Sequence, residues 1–164
     1  MSLIISDSSV LIHLSAVERL FLLHQLYRIV IVPPSVISEI SERGWDKPGV
    51  EVVQSAIAEG WIQTITPCDE ALVQSLRQRV DWGEAEAIAL AIENKADLLL
   101  LDDANARLIA DMHGAAKIGT LGILVQAKKA GLILSVKDEL ERLRSRMWLT
   151  ERLIQSVLRS VGEA

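Results

Sequence analysis

Five carboxylates carry the chemical interest of this sequence: Asp7, Glu39, Glu84, Asp102 and Asp103. Asp7 directly follows the apolar run Leu3-Ile4-Ile5-Ser6, and Asp102 and Asp103 follow Asp97-Leu98-Leu99-Leu100-Leu101 in the same way. Glu39 lies in Pro33-Pro34-Ser35-Val36-Ile37-Ser38-Glu39-Ile40, and Glu84 in Gly83-Glu84-Ala85-Glu86-Ala87-Ile88. A set of oxygen donors with no Cys or His among them suits a hard divalent cation that keeps several waters, Mg²⁺ or Mn²⁺. Without a cation, such like charges repel one another and take up protons. With one, a bound water ionises near neutral pH and a phosphoryl oxygen is polarised, the requirements of phosphodiester hydrolysis. Each acid also has an ordinary reading. Asp7 and Asp103 fit helix N-caps, Asp81 with Glu84 fits a variant of the capping box, Glu84 and Glu86 favour a helix N-terminus, and Glu39 fits an exposed helical position.

The elements that must hold these residues follow from periodicity. β-branched or continuously apolar runs predict strands at Leu3–Ser6, Ile29–Val32, Trp61–Ile65, Asp97–Leu101 and, more weakly, Ala116–Gly119. Helical periods fall at about 9–26 (broken near Ser15), 35–43, 49–59, 69–79, 83–95, 103–113 and 120–130. The alternation is that of a parallel sheet covered by helices on both faces, where ligands collect outside the carboxyl ends of the strands. Asp7 and Asp102 both stand at that edge. The 83–95 helix enters the fourth strand after a tight connection, so it runs antiparallel to it. Its length, roughly 18 Å, matches a strand of about 17 Å and returns Glu84 level with Asp102. Glu84 shares a face with Ala87, Ile88 and Ala91, which is expected to meet the sheet, while Glu86 points elsewhere. Glu39 flanks Val36 at the margin of a face formed by Val36, Ile37 and Ile40, so its carboxylate can lean over the same edge.

The 164 residues, 50% hydrophobic, predict one domain over 1–164, with a core at about 3–133 and a helical C-terminal extension at about 135–161. Helices at about 135–147 and 150–161 make up that extension. In the last, Leu153, Ile154, Val157, Leu158 and Val161 form an apolar stripe that must pack on the domain or on a partner. The net charge of −5 argues against a protein that coats polyanions, so a nucleic-acid partner needs a local device. Arg107, Lys117, Lys128 and Lys129 are the candidate RNA-binding cations. A single cysteine, Cys68, excludes a disulfide framework, and neither a signal-peptide pattern nor a membrane-length apolar run is present, so a cytoplasmic protein is expected. Phosphate-binding glycine loops, zincin and serine-hydrolase motifs are absent. His13, His24 and His113 are scattered through predicted helices, where surface or packing roles are expected. Gly44-Trp45-Asp46-Lys47-Pro48-Gly49 reads as an exposed turn between two helices.

Several segments, taken in order, resemble one family. They are Ser6-Asp7-Ser8-Ser9 with Leu11-Ile12; Pro33 to Ile40; Gly83 to Ala91; Leu100-Leu101-Asp102-Asp103-Ala104-Asn105-Ala106-Arg107; Gly119-Thr120-Leu121-Gly122-Ile123-Leu124; and Ala127-Lys128-Lys129-Ala130-Gly131-Leu132. Over about residues 3–133 the chain resembles the PIN-domain family, metal-dependent ribonucleases that include the VapC-type toxins of prokaryotic toxin–antitoxin pairs. The resemblance implies a three-layer α/β/α fold with a parallel five-stranded sheet of order 3-2-1-4-5, which sets Asp7 against Asp102. It implies metal ligands at Asp7, Glu39, Glu84 and one of Asp102 or Asp103. Ser8 or Ser9 would support them by hydrogen bonding, with Glu86 and Asn105 as further supporting residues. The implied activity is a Mg²⁺- or Mn²⁺-dependent endoribonuclease, a toxin with an antitoxin partner, a homodimer and no membrane association. Two departures leave the ligand set open. The third acid is Glu where the toxins usually have Asp, with Glu86 a competing register, and Leu101-Asp102-Asp103 replaces the common Thr-x-Asp.

Overall fold

Short, largely apolar triplets build the middle of the sheet because each must bury side chains on two faces at once, while the edge strands are more polar and more exposed. In the computed structural model, which describes residues 2–42 and 47–164, the strands are β1 (Ile4–Ser6), β2 (Val30–Val32), β3 (Ile62–Thr64), β4 (Leu98–Leu100) and β5 (Lys117–Ile118). They pair in parallel in the order β3-β2-β1-β4-β5. Ile4, Ile5 and Ser6 of β1 lie opposite Leu98, Leu99 and Leu100 of β4, so the carboxyl ends of these two central strands coincide.

The helices are α1 (Ser8–Ala16), α2 (Phe21–Tyr27), α3 (Pro34–Glu42), α4 (Lys47–Glu59), α5 (Glu70–Leu76), α6 (Trp82–Asn94), α7 (Ala104–Met112), α8 (Thr120–Lys129), α9 (Val136–Leu143) and α10 (Glu151–Ser160). The expected helix over 9–26 is two helices, and Glu18 takes a left-handed backbone (φ 58°) where they part. Gly44, Trp45 and Asp46 of the expected turn lie outside the described residues.

Strand alternation sorts the core into two layers. Ile4, Val30, Val32 and Leu100 face one side, packed with Leu11 and Leu14 of α1, Val36 of α3 and Ile123 of α8. Ile5, Ile31, Leu99 and Leu101 face the other, against α5, α6 and α7. Ile154 and Leu158 of α10 are buried in the first layer, with Val157 and Val161 partly buried against it, whereas Leu153 is 42% exposed. Helix α9 stops at Leu143 rather than continuing to about 147, and the chain turns so that Met147 and Leu149 reach the same layer. Among the described residues, no helix is long and apolar enough to cross a membrane.

Candidate active site

Three helices begin at the carboxyl edge of the central strands, and each is capped by an aspartate. Asp7 Oδ1 accepts from the Val10 amide at 3.3 Å, opening α1. Asp81 Oδ1 accepts from the Glu84 amide at 2.9 Å, opening α6. Asp103 Oδ2 accepts from the Ala106 amide at 2.9 Å, opening α7. A carboxylate gains from the positive end of a helix dipole, so the capping positions also gather negative charge at one edge.

That charge is costly where water is excluded. Asp7 is 1% exposed; burial pushes its carboxyl up to about 8 against the opposing effect of hydrogen bonds from Ser9 and Val10, and the negative charges of Asp102 and Asp81 add to the rise. Glu84 is half-buried and pushed up to about 9, by burial first, then by its hydrogen bond with Asp81 and by the charges of Asp81, Asp103 and Asp7. These two carboxyls therefore hold protons at neutral pH when no cation faces them. The donors are all oxygens, and exchange of their protons for a divalent cation relieves both the burial cost and the repulsion. The donor set thus fits Mg²⁺ or Mn²⁺. Among the described residues no three His, Cys, Asp or Glu side chains form a ready-made metal cage.

Asp102 is differently placed. Its Oδ1 accepts from the Thr120 amide at 2.7 Å and its Oδ2 from the Thr120 hydroxyl at 2.5 Å, while His13 Nδ1 lies 2.6 Å from Oδ2. Burial alone would raise its pKa, but the hydrogen bonds from His13 and Thr120 outweigh it and hold the carboxyl below the usual range. An ionised carboxylate only accepts, which places the His13 proton on Nδ1. Gly119 is required here: a Cβ would stand 2.7 Å from Asp102 Oδ1 and 3.1 Å from an Arg107 nitrogen.

The remaining acids join elements. Glu39, 7% exposed, accepts from the Ser8 hydroxyl at 2.5 Å and the Gly83 amide at 3.2 Å, locking the starts of α1 and α6 onto α3. A Cβ on Gly83 would sit 2.7 Å from Glu39 Oε1. Glu86, 6% exposed, accepts from the Ser35 amide at 3.0 Å in the first turn of α3. Glu86 is thus more buried than Glu84, because Gly83, Ala85 and Ala87–Ala91 of α6 are all covered and no single face is the inside. Ser9 donates to Asp7 Oδ2 at 2.6 Å, as the supporting role expects of Ser8 or Ser9. Asn105 instead donates to the Arg79 carbonyl at 2.7 Å.

The four cations divide. Arg107, bonded to the Leu101 carbonyl at 2.9 Å, and Lys117, paired with Asp111, line a cavity with Asp102. Lys128 is tied to the Leu134 carbonyl and to Glu163, and Lys129 is exposed. The expected pairing of Asp81 with Glu84 at the helix start is present, whereas sequence reasoning missed His13 and Thr120 as partners of Asp102. Only the position of His13 on the helix that starts at Asp7 hinted at its place.

A family model described as a PIN domain matches residues 3–163. No curated protein matches the chain.

Proposed function

The chain belongs to the PIN-domain family, and on that premise we propose that it is a Mg²⁺- or Mn²⁺-dependent endoribonuclease. PIN domains are generally nucleases, and the fold is nuclease-like. The observation that carries the reading is the meeting of three aspartate-capped helix N-termini at one strand edge, with Glu84 in electrostatic contact with all three aspartates.

Bound there, the cation supplies a water ionised near neutral pH and polarises a phosphoryl oxygen. We assign Asp7, Glu84 and Asp103 as the residues that hold it, with Asp81 beside them. Ser9 fixes the rotamer of Asp7. Asp102, bonded to His13 and to the amide and hydroxyl of Thr120, and Glu39, bonded to Ser8 and Gly83, each tie together elements far apart in the chain, whereas both donors to Asp7 lie within the helix it caps; we assign Asp102 and Glu39 positioning roles. Asp102 ties α8 and His13 to the end of β4, and Glu39 sets the first turn of α6 and hence Glu84. On the family resemblance we further propose that the protein is a toxin silenced by an antitoxin covering the acid edge. Expression of the chain then arrests growth, and Asp7→Asn restores it.

The test is cleavage of single-stranded RNA by the purified chain with Mg²⁺ or Mn²⁺, stopped by EDTA and absent in Asp7→Asn. Metal-independent cleavage, or cleavage undiminished in Asp7→Asn, overturns the reading. RNA binding with no cleavage under any divalent cation instead supports a binding module.

A further inference from the structure

The C-terminal segment reverses the charge of the rest of the chain. Residues 142–160 contain Arg142, Arg144, Arg146, Arg152 and Arg159 against Glu151 alone, in a protein whose net charge is −5. Within this segment Trp148 is 87% exposed. It is not a loose side chain on a frayed end, because Met147 before it and Leu149 after it are packed against the core. The flanking anchors hold the backbone while the indole stays in water. Trp148 is not an isolated exposed residue either, since Leu153, 42% exposed, lines one cavity with it.

What it faces defines the chemistry. Trp148, Met147 and Leu153 line a cavity of about 470 Å³ together with Asp102, Arg107 and Lys117. The cavity therefore runs from the exposed indole to the edge of the carboxylate site, with two cations along it. Arg146 and Arg152 are exposed on the segment that carries the indole, and Arg144 is held in place by Glu141 and Glu151. A basic strip with an aromatic face is the recognition chemistry of single-stranded nucleic acid: phosphates meet cations and a base stacks on the ring.

We propose that Trp148 is the base-stacking platform of a single-stranded RNA subsite, with Arg107, Arg146 and Arg152 receiving the phosphates. The strand is thereby led along the cavity toward Asp7 and Glu84. This rests on the ribonuclease reading and adds to it the site that grips the substrate. It also explains how an acidic protein holds a polyanion: the attraction is local.

The experiment uses the full chain carrying Asp7→Asn, so that RNA survives, and a fluorescein-labelled 12-nucleotide single-stranded RNA in Mg²⁺, read by anisotropy. Trp148→Ala is expected to weaken binding about tenfold, and Trp148→Phe, which keeps a stacking face, less than about threefold. Leu134→Ala, an apolar residue 93% exposed, serves as the control and leaves binding unchanged. The same RNA annealed to its complement hides its base faces, and its binding is expected to be indifferent to Trp148→Ala. In the chain with Asp7 intact, Trp148→Ala raises KM about tenfold with kcat within about twofold. Single-strand binding within about twofold of the parent, or an equal loss on the duplex, overturns the proposal. Metal-dependent cleavage with an unchanged KM in Trp148→Ala fells the platform and leaves the nuclease standing. A chain that neither binds nor cleaves RNA fells both.

Discussion

Replacing Asp7 by Asn is expected to stabilise the metal-free protein at neutral pH while removing its activity. Asp7 has an ordinary pKa of 3.8 and a folded value of about 8. Below about pH 4 the carboxyl is protonated in both states and contributes nothing to pH dependence. As pH rises from there the unfolded chain ionises while the folded one does not, so stability falls until the folded group ionises near pH 8. Between 3.8 and pH 7 this amounts to about 3 pH units at about 1.4 kcal/mol each, an upper bound of about 4 kcal/mol. Asparagine caps a helix about as well as aspartate, but the Ser9 contact weakens at a cost of about 1 kcal/mol. The net gain at pH 7 is therefore about 2–3 kcal/mol, or about 5–10 °C in Tm for a chain of this length. Urea denaturation in EDTA, followed by circular dichroism at pH 4, 5.5 and 7, measures it. The variant should be about 1 kcal/mol less stable at pH 4, where only the weakened Ser9 contact counts, and overtake the parent as pH rises. Added Mg²⁺ should stabilise the parent alone. A variant less stable at pH 7, or a difference independent of pH, refutes the argument that burial of this carboxyl is what the cation relieves.

Glu84→Gln should abolish cleavage yet fold normally, since it removes repulsion with Asp81, Asp103 and Asp7; Glu86→Gln should retain most activity, while Glu86→Ala, which strands the Ser35 amide, costs about 1–3 kcal/mol by urea unfolding. The reverse ranking of Glu84 and Glu86 in cleavage assays would show the roles exchanged. Asp102→Asn and His13→Ala are expected to be coupled by about 1–2 kcal/mol in a double-mutant cycle of stability, because the two share a charge-assisted hydrogen bond; additive effects would refute the pairing. Glu163 accepts from the Val136 and Lys137 amides and the Ser135 hydroxyl. Burial opposes its charge, but these hydrogen bonds and Lys128 pull its carboxyl down to about 2. Its stabilisation is complete above about pH 4.5 and lost as pH falls toward 2, so Glu163→Gln should cost about 1 kcal/mol at pH 7, after allowance for solvent screening, and nearly nothing at pH 2.

The sequence by itself determined the features governed by neighbours along the chain. Continuous apolar runs marked the central strands β2 and β4 and most of β1, since a strand covered on both faces has no polar alternation. An acid immediately after such a strand must lie at its carboxyl end, as Asp7 and Asp102 do. The caps at Asp7, Asp81 and Asp103 are local too, each reaching an amide three residues ahead. What only the tertiary structure decided depends on groups far apart in the chain. His13 and Asp102 are 89 residues apart, and Glu86 and Ser35 are 51 apart. No periodicity encodes such pairs. Helical phase assigned Glu84 to a buried stripe and turned Glu86 away, but a face is informative only when the opposite face meets water. Helix α6 is covered by the sheet and by α3 and α5, so Glu86 could be buried once the Ser35 amide was there to receive it. Trp148 shows the converse. The expected helix ran to about 147 and said nothing of this residue, yet α9 ends at Leu143, and packing of Met147 and Leu149 leaves the indole between them in solvent beside the carboxylate edge.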